Sequence, residues 1–176
     1  MLSLNEARRV IRAAEEKARE LGCAVNIAVV DESGHVTAQV RMDGAWLAGI
    51  DAAVSKAYTA RSFDSATSDL TAFTRSGEFG DLNQGFGRRM LLAAGGVLLR
   101  RNGRICGAIG VSGAASSEDE TIARAAARVL TGSYASGHLT GYRNAESEDR
   151  GISASQIARL GQRTISSQTQ YHPPIQ

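Results

Sequence analysis

Asn102-Gly103 stands between two short apolar runs, residues 97–101 and 104–111, and this dipeptide dictates how the chain must reverse. Both central residues of a type I′ turn need positive φ, which Asn and Gly adopt at low cost, and the twist of that turn matches the strands on either side. An antiparallel hairpin is expected there. A second hairpin is read over residues 25–41. Residues 25–30 are continuously apolar and rich in β-branched side chains, Asp31-Glu32-Ser33-Gly34 carries turn chemistry, and residues 35–41 return as a strand. Residues 90–92 read as a further short strand, so about five strands are expected.

Helices fill the space between. Ser3 followed by Glu6 forms a capping box, and Leu4, Ala7, Ile11, Ala14, Ala18 and Leu21 then recur at helical spacing until Gly22. Further helices are expected over residues 46–61 and 67–75. A last one opens at Ser117, with Glu120 at the capping-box position and Arg124 and Arg128 further along its dipole. Strands joined by hairpins make an antiparallel sheet, and helices burying its apolar side make an α+β, two-layer domain over residues 1–130. Residues 76–87, with four glycines and no apolar periodicity, read as a mobile loop. Residues 131–176 read as a polar C-terminal extension with a weak helix over 152–165, wrapping its own domain or a neighbouring subunit.

Composition removes several classes of function. The 176 residues are 43% hydrophobic and 22% charged, which is globular. A net charge of +2 offers no concentrated basic field for nucleic acid. No apolar run approaches the length of a membrane span, and residues 1–6 read as a helix start rather than a secretion signal, so a cytoplasmic location is expected. Cys23 and Cys106 lie far apart in apolar stretches and read as free thiols, with neither a disulfide nor a metal site expected.

Five segments in order resemble one family. They are Val29-Val30-Asp31-Glu32-Ser33-Gly34-His35, Arg41-Met42-Asp43-Gly44-Ala45, Lys56-Ala57-Tyr58-Thr59-Ala60, Gly95-Gly96-Val97, and Gly107-Ala108-Ile109-Gly110-Val111-Ser112-Gly113 followed by Asp119-Glu120. Together they resemble the GlcG/HbpS-like family, which includes the C-terminal domain of PduO-type corrinoid adenosyltransferases. The resemblance covers residues 1 to about 130. It implies a profilin- or PAS-like sheet flanked by helices, assembled as a dimer or higher homo-oligomer, with haem as a ligand of some members. The family's usual Pro after Gly-Gly-Val is replaced here by Leu98.

The candidate site residues each carry two readings. Lys56, in a small apolar helix with Thr59 on its face, is a carboxylate clamp or proton-transfer base, or else a lysine snorkelling from a packed stem. Arg41 offers a planar fork to a carboxylate, while Asp43 is a ligand contact, a helix cap or the partner of Arg41. Gly95, Gly96, Gly107 and Gly110 expose main chain that, with Ser112, lines a pocket or merely permits close packing. Asp119 belongs to a first-turn acidic trio and reaches a pocket or only caps its helix. His35 lines a groove beside the hairpin or acts as a haem ligand; His138 and His172 act only if the extension folds back. Tyr58 reads as packing. Arg88, Arg89, Arg100, Arg101 and Arg104 attract an acidic ligand or guard a sheet edge.

The leading expectation is a small-molecule binding protein, with haem or another tetrapyrrole implied by the family resemblance. Its pocket lies between the Lys56 helix, the Arg41–Asp43 corner and the Gly95–Gly96 turn. The alternative is a cofactor-independent isomerase, cyclase, dehydratase or lyase in which Lys56, Asp43 and His35 move protons on a carboxylate- or carbonyl-bearing metabolite. A third reading is a non-catalytic accessory subunit.

Overall fold

The computed structural model describes residues 1–74 and 90–131. The loop expected at 76–87, Arg88, Arg89 and the extension from 132 onward, with His138 and His172, lie outside the described residues. In chain order the elements are α1 (Leu4–Glu20), β1 (Asn26–Asp31), β2 (Val36–Arg41), α2 (Gly49–Phe63), α3 (Thr67–Thr74), β3 (Gly96–Arg101), β4 (Arg104–Ser112) and α4 (Ser116–Thr131).

The expected hairpins form. Asn102 and Gly103 take φ of 55° and 76°, as their turn requires. β1–β2 and β3–β4 are the two hairpins, and β1 pairs with β4, giving one antiparallel sheet in the order β2-β1-β4-β3. The sheet has four strands, not the five expected, because residues 90–92 are not a strand. Their main chain is met by helix side chains instead: Leu91 N–H donates to the Thr59 hydroxyl, and the Leu92 carbonyl accepts from Thr71 Oγ1.

The continuous apolar character of residues 25–30 follows from burial on both faces. Val25, Ile27 and Val29 join Val111, Ile109 and Leu99 in a core with Ala7 and Val10 of α1 and Ile122 and Ala126 of α4. Val30 and Ala108 face the other way and pack on Ala57 and Ala60 of α2. Helices thus cover both faces, adding a layer to the two expected. α2 sits close because glycine leaves it room. A Cβ on Gly110 would stand 1.9 Å from the Ala53 carbonyl oxygen, and one on Gly96 would stand 2.4 Å from that of Lys56.

The capping box forms at the start of α1, where Ser3 Oγ accepts from Glu6 N–H at 3.2 Å and the Glu6 carboxylate accepts from Ser3 N–H at 2.9 Å. Glu6 also accepts from Arg101 of β3 at 2.7 Å. The Ser3 amide, aided by Arg101 against the cost of burial, lowers the Glu6 carboxyl from 4.5 to about 2. A depressed folded-state value stabilises the fold above pH 4.5, and that stabilisation is lost as pH falls toward about 2. Across this interval the urea midpoint of the native chain should therefore fall more steeply than that of Glu6→Gln. Parallel slopes would show that the cap contributes nothing to stability.

Candidate functional site

α2 buries a stripe of Gly49, Ala53, Lys56, Ala57 and Ala60, spaced as one helical face. Lys56 is the only ionisable residue in that stripe, and it is 3% exposed. Its Nζ donates to the Val111 carbonyl at 2.9 Å and to Asp119 Oδ2 at 2.7 Å. Asp119, 2% exposed, also accepts from Ala114 N–H through Oδ1 at 3.1 Å. The pair thus ties α2 to the end of β4 and the first turn of α4. Gly95 lies over it at φ 117°, where a Cβ would stand 3.1 Å from Lys56 Nζ and 2.9 Å from Asp119 Cβ.

The acidic trio divides its work. Glu118 accepts from Ala115 N–H and so caps α4. Asp119 takes the lysine. Glu120 accepts from Gly95 N–H at 3.0 Å, from Ser68 Oγ and from Arg124. Gly96 N–H donates to Thr67 Oγ1 at 2.8 Å. The two glycine amides read from the sequence as bare anion donors are therefore engaged within the protein. Thr59 is fully buried, donating to the Ser55 carbonyl and accepting from Leu91 N–H.

Of the sequence-derived residues, the fold gathers Lys56, Asp119, Gly95 and Gly96 into one buried seam. Arg41, Asp43 and His35 lie outside it and are exposed. His35 and Asp43 flank opposite ends of β2, about 20 Å apart along the strand. The proton-transfer group of Lys56, Asp43 and His35 is thus not assembled in this structure. Ser112 is half-buried and contributes its carbonyl oxygen, which accepts from Asn26 Nδ2 at 3.3 Å. Tyr58 packs its ring against Gly34. Cys106 is buried and Cys23 half-buried, both as free thiols, and burial raises the pKa of each.

The cleft at Arg41 is lined by none of Lys56, Asp43, Gly95 and Gly96, and so is not the pocket expected between the Lys56 helix, the Arg41–Asp43 corner and the Gly95–Gly96 turn. It is a cavity of about 90 Å³ lined by Asn26, Ile27, Gln39, Val40, Arg41 and Ile50. Asn26 was not among the residues picked from the sequence, although a lone amide inside an otherwise apolar run is itself a signal. A larger, shallow depression of about 370 Å³ runs along α1 past Asn5, Arg8, Ile11, Arg12 and Glu15. Among the described residues no group of His, Cys, Asp and Glu could hold a metal ion, and no helix is long and apolar enough to cross a membrane.

Comparison with known proteins agrees with the topology. A family model described as haem degrading protein HbpS-like matches residues 2–128. The corrinoid adenosyltransferase PduO of Citrobacter freundii is 35% identical over 127 residues, which cover 71% of this chain but only 38% of PduO. A crystal structure of a PduOC–haem complex superposes with a TM-score of 0.69 at 31% identity, covering 73% of this chain and 94% of that one. A double mutant of Streptomyces reticuli HbpS superposes with a TM-score of 0.67 at 38% identity, covering 73% and 86%. A fold shared with these solved structures and a family match running through nearly all of the first 130 residues lead to one conclusion: the chain belongs to the HbpS-like family.

Proposed function

We propose that this chain is a small-molecule binding protein for a tetrapyrrole-class ligand, held along α1 rather than in the cleft beside α2. The cleft's 90 Å³ falls well below the roughly 300 Å³ at which pockets for drug-sized molecules begin. The α1 depression reaches that range. The observation that carries the reading is its lining. Arg8 and Arg12 are exposed one helical turn apart, with buried Ile11 between them, and neither arginine pairs with a carboxylate among the described residues. Guanidinium forks suit the carboxylates on one edge of a flat, largely apolar ring. Kinship supports the ligand class, since PduOC was crystallised with haem.

The lining fits the ring and its acids, but not an axial bond to iron. Haem iron is held by His, Cys, Met or Tyr, and none of these lines the depression. Arg8 and Arg12 would bind and orient the ligand by charge, and Ile11 would exclude water beneath it. A ring on one open helix face leaves its other face bare, so assembly of a dimer or higher homo-oligomer belongs to the same proposal.

Haemin and metal-free protoporphyrin should bind the full chain within about threefold of one another. Arg8→Ala with Arg12→Ala should weaken both at least about tenfold, with the far-UV spectrum unchanged because both residues are exposed. Absorbance titration reads this, and native mass spectrometry reads stoichiometry. Binding of neither porphyrin, or a strong preference for the iron form, would refute the proposal.

A further inference from the structure

We infer that Glu15 sets which tetrapyrroles the α1 depression accepts, admitting rings whose acid groups lie along one edge and turning away rings with acids all round. The inference rests on the α1 reading and names the selectivity of that same site.

Charge falls unevenly along the helix. The depression is lined in chain order by Asn5, Arg8, Ile11, Arg12 and Glu15. At the helical rise, Arg8 and Arg12 leave the backbone about 6 Å apart, and Glu15 follows about 4.5 Å beyond Arg12. The site is thus neutral at Asn5, cationic in its middle and anionic at its far end. Ile11 and Glu15 are four residues apart and so are neighbours on one side of the helix. Ile11 is 8% exposed and the Glu15 side chain 21%, whereas Arg8 and Arg12 are exposed. Glu15 therefore continues the floor that Ile11 begins, and the two arginines stand at the rim.

The Glu15 carboxylate is not neutralised within the site. Its one ion pair among the described residues is to Arg19, at 3.5 Å, and the Arg19 side chain is 62% exposed. A long, wet pair of this kind cancels little charge. Arg19 does not line the depression, and Arg12, which does, forms no ion pair with Glu15. A ligand carboxylate brought beside Glu15 meets a like charge at a half-buried position, where water screens it less than in the open.

A ring with two carboxylates on one edge sets both on Arg8 and Arg12 and presents only its apolar body to Ile11 and Glu15. A ring with a carboxylate on every pyrrole has no such pose. Turning it in its own plane does not help, since every edge carries an acid.

The probes are protoporphyrin IX, with two propionates on one edge, and coproporphyrin III, with four spread around the ring. Neither holds iron, so axial ligation does not enter. Absorbance titration of the full chain at low ionic strength should show protoporphyrin bound at least about tenfold tighter. Coproporphyrin is also the more polar ring, so the deciding quantity is how the ratio depends on Glu15. Glu15→Gln, which keeps size and helix propensity, should narrow the ratio at least about fivefold, chiefly through tighter coproporphyrin binding. Glu15→Lys should carry it further, to parity or beyond. A ratio unmoved in both variants, or a native preference for coproporphyrin, would overturn the inference while leaving porphyrin binding along α1 in place. Binding of neither ring would overturn the α1 reading and this inference with it.

Discussion

Lys56→Met should lower the stability of the folded domain by about 3–5 kcal/mol, a fall in melting temperature of roughly 10–20 °C. The loss comes from the partner left behind. Asp119 is 2% exposed, and without the ammonium its carboxylate keeps, among the described residues, only the Ala114 amide as a donor. Asp119→Leu alone strands the lysine and should cost a similar amount. The pair Lys56→Met with Asp119→Leu removes both charges together and should recover most of the stability, because well-packed apolar residues often replace a buried ion pair with little loss. A double-mutant cycle read by urea denaturation gives the coupling directly. A cost below about 1 kcal/mol for Lys56→Met would mean that the seam is not what the lysine secures, and would restore a ligand role to it.

Gly110→Ala should be the most damaging methyl group that can be added to the sheet. Its Cβ would stand 1.9 Å from the Ala53 carbonyl and 2.6 Å from Ala57 N, both backbone atoms of α2 that no rotamer change can move. Overpacking of this kind costs about 1–3 kcal/mol, and the upper end or beyond is expected here because a whole helix must lift. Gly103→Ala provides the contrast. It has φ 76° and open space around its Cβ, so it carries only the left-handed backbone cost of roughly 1–2 kcal/mol. Thermal melts of the two variants separate steric from conformational glycine. Equal losses would show that α2 is not resting on the sheet at Gly110.

Local chemistry made most of the fold readable. Asn102-Gly103, the Asp31–Gly34 turn and the Ser3–Glu6 capping box are each decided within a few residues, and the corresponding elements formed. What failed was also local in origin. Residues 90–92 are apolar enough for a strand, but strand identity needs a partner edge, and Thr59 and Thr71 meet their main chain instead. The candidate site was harder because its contacts are distant in sequence. Lys56 and Asp119 are 63 residues apart, and no spacing rule joins them, so the sequence offers Lys56 a ligand or a snorkelling stem and Asp119 a helix cap or a pocket, but not each other. Asn26 was hidden for the opposite reason, since a run buried on both faces conceals which position is left polar.

Where α2 meets the sheet at Gly96 and Gly110, the separation is set by main-chain atoms that every residue shares. Side chains elsewhere in the interior can drift in size without moving that wall. The small chamber at its N-terminal end thus keeps its dimensions while the surrounding sequence diverges. A change in its size would have to come from its open margin, on the outermost strand.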